Sequence, residues 1–200
     1  MKSNATLRLF VLLLWSIPFI CITPCEAQRW RKVLDFPNRS GVKDVVILAN
    51  GDIISLINTD SMIIVAMDQQ GALKWRRSFN EGTGLVIELI DDHLLVGGVS
   101  GSSFSAISVL FKLALDGSMI WQKTYEEGFI SSIKENGSGY LLGGNLDRNG
   151  SSSNSVLYSV DSNGIAQWMQ EYDIYSNSGV SAILDFGTDL YLVINASTVG

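Results

Sequence analysis

The chain has 200 residues, enough for one ordinary domain, with a formal net charge of −6 and 46% hydrophobic residues. An acidic chain without a basic stripe excludes nucleic acid as an expected partner, because phosphates demand clustered Lys and Arg. With His93 the single histidine, a multi-histidine metal site is excluded as well.

In chain order, the first 27 residues read as a secretory signal peptide. Lys2 and Arg8 give a positive start, Leu9 to Ile22 is an apolar run broken by Pro18, and Ala27 offers a small residue at a cleavage point before Gln28. The uncharged stretch from Leu9 to Cys25 covers 17 residues, at the lower edge of the roughly 20 that a spanning helix needs. The only expected route to a membrane is this segment left uncleaved. Neither Cys21, after Ile20, nor Cys25, after Pro24, follows the small residue that lipid anchoring prefers. Both cysteines leave with the segment, so disulfides, thiolate catalysis and cysteine metal sites are excluded from the mature chain. Losing Lys2, Arg8 and Glu26 takes the formal charge from −6 to −7, which favours solubility. The expected location is secreted or extracytoplasmic.

From residue 28 the chain is organised by four tryptophans. Trp30, Trp75, Trp121 and Trp168 lie 45, 46 and 47 residues apart, each opening a phrase with a large apolar residue four places on: Leu34, Phe79, Tyr125 and Tyr172. Such a period indicates one supersecondary unit copied along the chain. Taking units to start near 30, 75, 121 and 168, the first reads Trp30 to Phe36, Val42 to Ala49, Ile53 to Asn58 and Met62 to Met67. The second reads Trp75 to Phe79, Leu85 to Ile90, His93 to Val99 and Ala106 to Leu115. The third reads Trp121 to Tyr125, Phe129 to Lys134, Tyr140 to Asn145 and Ser155 to Val160. The fourth has Trp168, Val180 to Phe186 and Leu190 to Asn195. These short runs rich in Val, Ile, Leu, Tyr and Phe, separated by Gly, Asn, Asp and Ser, are strand-and-turn signals.

Turns are expected at Asn50-Gly51, as a type I′ hairpin with both residues at positive φ, at Asp91-Asp92 and at Asn136 to Gly139. Further turns precede each Trp phrase at Asp68 to Gly71, Asp116-Gly117 and Asp161 to Gly164, with the Gly four residues before Trp. There Gly supplies a left-handed conformation and Trp an anchor to pack on the neighbouring unit. Gly97-Gly98 and Gly143-Gly144 mark a bulge or a close approach between sheets. The expected fold class is all-β, a β-propeller of four-stranded antiparallel blades. It is incomplete, with three full blades and most of a fourth in residues 28–200, and is expected to continue beyond the end of this chain. An antiparallel sandwich, also built from short strands, gives no reason for the Trp period.

The pattern Asp-x-x-Gly-x-x-x-Trp-x-x-x-aromatic, with Gly139-Tyr140-Leu141-Leu142-Gly143-Gly144 between copies, resembles the repeats of secreted β-propeller proteins. More distantly, Ala66-Met67-Asp68-Gln69-Gln70-Gly71-Ala72-Leu73-Lys74-Trp75 is similar to the Trp-docking repeat of quinoprotein dehydrogenase-like (PQQ-like) propellers, lacking one residue and a Thr. The resemblance implies that the tryptophans hold blades together. Units one and four depart from the Gly-Gly pattern, with Ser55-Leu56-Ile57 and Val193-Ile194-Asn195 in its place. A quinone would need a ring of blades, central Arg or Asp groups and usually calcium, and the chain displays no such set.

Candidate chemistry is sparse. His93, at a strand start after Asp91-Asp92, reads as a surface turn residue, and no Gly-x-Ser-x-Gly elbow supports a Ser-His-Asp triad. Asn145, Asp147 and Asn149 match the alternating oxygen opening of a calcium loop, but Val156 stands where the bidentate Glu belongs. Asn38, Asn136, Asn149 and Asn195 begin Asn-x-Ser sequons, as glycosylation of a secreted protein would use. The expected function is a non-catalytic binding or scaffold module for a protein or glycan ligand, without a required cofactor. Recognition is expected on the loops Val99 to Ser105 and Leu146 to Asn154. The alternatives are a fragment of a quinoprotein-like dehydrogenase and structural blades of a larger extracellular protein. An open array would expose an edge and self-associate.

Overall fold

The computed structural model describes residues 40–79, 82–101, 106–148, 152–175, 177–186 and 189–197, all within the unit spanning 31–200. The expected signal peptide, Trp30 and Asn38 lie outside the described residues. As expected from the strand-length apolar runs, the chain is all-β, with a curled, half-barrel sheet and no helix among the described residues.

The strands follow one another as antiparallel meanders. The first comprises β1 (Gly41–Ile47), β2 (Ile53–Asn58), β3 (Met62–Met67) and β4 (Leu73–Phe79), paired in sequence order. The second comprises β5 (Thr83–Ile90), β6 (His93–Ser100), β7 (Ile107–Ala114) and the first part of β8 (Met119–Asn136). Strand β8 changes partner midway: through Glu127 it pairs with β7, and from Gly128 it pairs with β9 (Gly139–Arg148). The third meander continues through β10 (Ser152–Asp161) to β11 (Ala166–Tyr172). A hairpin of β12 (Asn177–Phe186) and β13 (Asp189–Ser197) follows, touching β10 through the parallel pair Ser153 and Asn177. The shared β8 and this bridge make a nine-stranded sheet beside the four-stranded one.

The ladder sets the phase of the repeat. The Trp75 phrase is β4, paired with β3, and the Trp168 phrase is β11, paired with β10. Each therefore closes a meander as its last strand, whereas a period counted from Trp places it first. The turn before each phrase has one geometry. Gly71 N–H donates to Asp68 O at 2.9 Å and Asp68 N–H to Ala72 O at 2.9 Å; the same two bonds recur at Ala114 to Ser118 and at Asp161 to Ile165. Gly71, Gly117 and Gly164 have φ of 78°, 79° and 74°, the left-handed residue of a three-residue hairpin loop. Asn50-Gly51 folds the same way rather than as type I′. Gly51 alone is left-handed, at 81°, and its N–H donates to Leu48 O, so the loop is three residues long.

Packing between meanders follows from exchanged volumes. Leu56 of β2 meets Gly84 of β5, where a Cβ would stand 2.6 Å from the leucine Cδ1. At the next two interfaces the sizes reverse: a Cβ on Gly97 would stand 2.6 Å from Ile130, and one on Gly143 would stand 2.6 Å from Val180. The outcome is a series of buried clusters. Ile54, Leu56 and Ile64 join Ile87, Leu94 and Val96 between the first and second meanders. Leu95, Leu110, Ile130 and Leu142 fill the next space, and Leu141, Leu157, Val180 and Ile183 the last. Burial of such side chains contributes roughly 1.5–3 kcal/mol each.

Trp75 and Trp121 each dock one meander on the turn before the last strand of the next. The Trp75 indole N–H donates to Leu115 O at 2.9 Å, and its ring covers Gly117. The Trp121 ring likewise covers Gly164, whose carbonyl accepts the Tyr125 hydroxyl at 2.9 Å. Glycine is thus required twice at these turns, by φ and by the ring lying on it. Trp168 is 48% exposed, beside an open hollow of about 650 Å3 that it shares with Met169, Tyr125 and Tyr158.

Candidate functional site

The site begins from an irregularity repeated four times. In the first strand of each meander, and in β12, one residue is left over in the pairing with the following strand. In β1 the pairs Val42 with Ile57 and Asp44 with Leu56 leave Lys43 unpaired. The same shift leaves out Leu85 in β5, Ser131 in β8 and Ser181 in β12. A β-bulge bends its strand and re-aims side chains. All four bulged residues, and the residue after each, line one cavity of about 600 Å3.

Gly-Gly pairs face two of these bulges. Gly98 and Gly97 pair with Gly84 and Val86, and Gly144 and Gly143 with Ile130 and Ser132. A Cβ on Gly98 would meet Thr83 O at 2.2 Å, and one on Gly144 would meet Phe129 O at 1.9 Å. At the other two bulges, Leu56-Ile57 and Val193-Ile194 stand opposite. A bulge therefore occurs without the glycine pair.

Side chains next to the bulges latch neighbouring layers. Asp44 Oδ2 accepts the Ile87 N–H at 2.9 Å, and Ser132 Oγ accepts the Ile183 N–H at 3.1 Å. Asp44 and Ser132 both directly follow their bulge, so they fill the same place in the repeat; the residues there in β5 and β12 are Val86 and Ala182, which cannot accept. Asn58 adds a two-way latch, donating to Gly84 O at 2.7 Å and accepting Gly84 N–H at 3.0 Å. Ser131 also reaches the next layer, donating to Val180 O at 2.7 Å, whereas Ser181 donates within its own hairpin to Val193 O at 3.1 Å.

The charged wall consists of Lys43 and Asp44 from β1, Glu88 from β5, and Lys134 and Glu135 from β8. Half-buried Glu88 and Lys134 stand at one repeat position, three residues after their bulges, where the flanking strands place Val46 and Leu184. Burial raises the Glu88 carboxyl above its ordinary pKa, the Asp44 charge raises it further, and Lys134 partly opposes both. No described residue hydrogen-bonds or ion-pairs with the Glu88 side chain. It is a carboxylate on the cavity wall without a fixed partner among the described residues.

The residues singled out from sequence lie elsewhere. His93 opens β6 with its Nδ1 2.5 Å from Asp92 Oδ1. Asn145 and Asp147 fall within β9, and Asn145 Oδ1 is taken by the Phe129 N–H at 3.1 Å; Asn149 is outside the described residues. No group of three or more His, Cys, Asp or Glu side chains able to hold a metal occurs among the described residues. Asn136 is exposed at the end of β8, before left-handed Gly137, and Asn195 is exposed on β13. In the stretches expected to be recognition loops, Val99 and Ser100 belong to β6, Leu146 to Arg148 to β9 and Ser152 to Asn154 to β10; residues 102–105 and 149–151 are not among those described. The cavity was not singled out, because Lys43, Leu85, Ser131 and Ser181 share no chemistry. Only their common place opposite the second strands could have marked them.

No family model and no curated protein matches the chain. It is similar to a solved structure, that of a protein of unknown function from Bacteroides caccae, at 12% identity and a TM-score of 0.36 over 70% of each chain.

Proposed function

We propose that this chain is a secreted or exported β-propeller repeat segment acting as a non-catalytic binding module, with the bulge-lined cavity as its recognition surface. In this reading β1–β4, β5 to Glu127 of β8, and Gly128 of β8 to β11 are four-stranded blades, and β12–β13 open a fourth. One observation carries the proposal: a bulge recurs at the same place in the first strand of each meander and in β12, and each bulged residue reaches the same cavity. A constant backbone with Lys, Leu, Ser and Ser at the varying position separates scaffold from recognition. The volume of about 600 Å3 falls among ligand pockets, which span roughly 300–1,000 Å3.

The test is a thermal-shift screen of the purified chain against small polar compounds and glycans, with Ser181→Trp to fill the cavity. A ligand at a hundredfold excess over its Kd stabilises by about 2.7 kcal/mol. The expected result is a shift in the wild type that Ser181→Trp abolishes while its circular dichroism stays native. A hit retained in full by Ser181→Trp, or no hit at all, overturns the cavity as recognition surface. Turnover by the purified chain, abolished by cavity substitutions, overturns the non-catalytic part.

A further inference from the structure

We propose that the cavity takes a small ligand bearing a primary ammonium group, held by the Glu88 carboxylate with Ser131 and Ser181 as accessory acceptors. This rests on the binding-module reading above and adds the chemistry of the ligand.

The assignment comes from accounting for each polar group on the wall. Ser131 and Ser181 have committed their protons to Val180 O and Val193 O, so toward the cavity their oxygens can only accept. Asp44 spends Oδ1 on the Val45 N–H and Oδ2 on the Ile87 N–H. It adds negative charge near Glu88, and each of its oxygens already accepts one backbone N–H. Glu88 has no fixed partner among the described residues. The wall therefore sets acceptors beside the half-buried carboxylate of Glu88, and the complementary group is a compact cation with several donors.

A primary ammonium has three N–H donors and fits that set. A divalent metal does not, because it needs six or more converging oxygens. The lack of a three-ligand cluster among the described residues agrees. An anionic ligand would meet Asp44, Glu88 and Glu135 against Lys43 and Lys134, an excess of one negative charge. Lys134 competes for Glu88 from β8, in the next meander, at a distance beyond an ion pair.

A bound ammonium offsets with its positive charge the burial and the Asp44 charge that raise the Glu88 pKa. Ligand and proton thus compete for one carboxylate. Around it stand Lys43 and Asp44 from β1 and Lys134 and Glu135 from β8, while the β12 wall of Ser181 to Leu184 carries no charge.

The experiment is calorimetric titration of the full chain with butylamine and putrescine, against the neutral isostere 1,4-butanediol. Both amines are expected to bind at neutral pH and the diol not to bind. Glu88→Gln is expected to weaken amine binding at least tenfold, and Lys134→Met to strengthen it severalfold by removing the competing cation. Amine affinity is expected to fall as pH is lowered through the glutamate range. Equal binding of the diol, or amine affinity unaffected by Glu88→Gln in a chain with native circular dichroism, overturns the proposal. Binding of neutral or anionic compounds that Ser181→Trp blocks would keep the cavity as a recognition site and reject only its ammonium chemistry. If nothing binds, both readings fail.

Discussion

Gly117→Ala tests the docking of Trp75 quantitatively. Gly117 has a φ of 79°, and a left-handed backbone costs an alanine about 1–2 kcal/mol. The new Cβ would stand 2.9 Å from Cε3 and Cζ3 of Trp75 and 3.0 Å from Cγ of Arg77. Relief of such overpacking costs a further ~1–3 kcal/mol. The two contributions give about 2–5 kcal/mol, a large part of the 5–15 kcal/mol by which domains are stable. Gly137 provides the control: its φ is 60° and a Cβ there would meet nothing within 4 Å. Gly137→Ala is expected to cost only the backbone share, about 1–2 kcal/mol. Urea unfolding followed by circular dichroism measures both, with m-values that should agree. In a Trp75→Ala background, Gly117→Ala should fall toward the cost of Gly137→Ala, since the ring it strikes is gone and only the contact with the flexible Arg77 side chain remains. Equal costs for the two single variants, or an undiminished Gly117→Ala cost without Trp75, would refute the docking account.

Other consequences are as direct. Ser108 is fully buried, and its Oγ has no hydrogen-bond partner among the described residues. At the equivalent place Ser155 bonds Ser178 at 3.0 Å, but the counterpart of Ser178 for Ser108 is Gly128. Urea melts should therefore show Ser108→Ala neutral or stabilising, and Ser155→Ala costing about 1 kcal/mol. Leu94→Ala, at a fully buried position, should cost ~2–5 kcal/mol, while exposed Leu190→Ala should stay within about 0.5 kcal/mol. Glu88 has a raised folded pKa, so its protonated form favours the native state, and that stability is lost as pH rises above the ordinary value of 4.5. Glu88→Gln should then raise the thermal midpoint at neutral pH and leave it unchanged below that value. Asp52 shows the opposite sign. Its hydrogen bond from Lys74 holds its pKa below 3.8, so the stability gained from Lys74 should be present at neutral pH and fade in acid, and Lys74→Met should weaken that dependence, with Asn50 still donating to the carboxylate.

What was legible in the sequence was local chemistry. Strand content follows from short β-branched and aromatic runs, and the turns at Gly71, Gly117 and Gly164 follow from glycine being the residue that takes positive φ without strain. The Gly-Gly pairs signalled close approach, and both expected causes occur together, since each faces a bulge across the ladder and a large side chain across the layers. At Asn50-Gly51 a dipeptide signal indicated the hairpin but not its type, because loop length is set by which flanking residues pair, here Leu48 with Asp52.

By itself the sequence determined the all-β class, the spacing of the tryptophans and the glycine turns, all properties of residues and their near neighbours. Only the tertiary structure decided that the Trp phrase ends a meander, that β8 serves two of them, and that Lys43, Leu85, Ser131 and Ser181 meet at one cavity. The physical reason is that a period has no intrinsic starting point and a bulge has no required side chain. Both are settled by hydrogen-bond register between strands and by the fit of Leu56 on Gly84, Ile130 on Gly97 and Val180 on Gly143, contacts between residues distant in the chain.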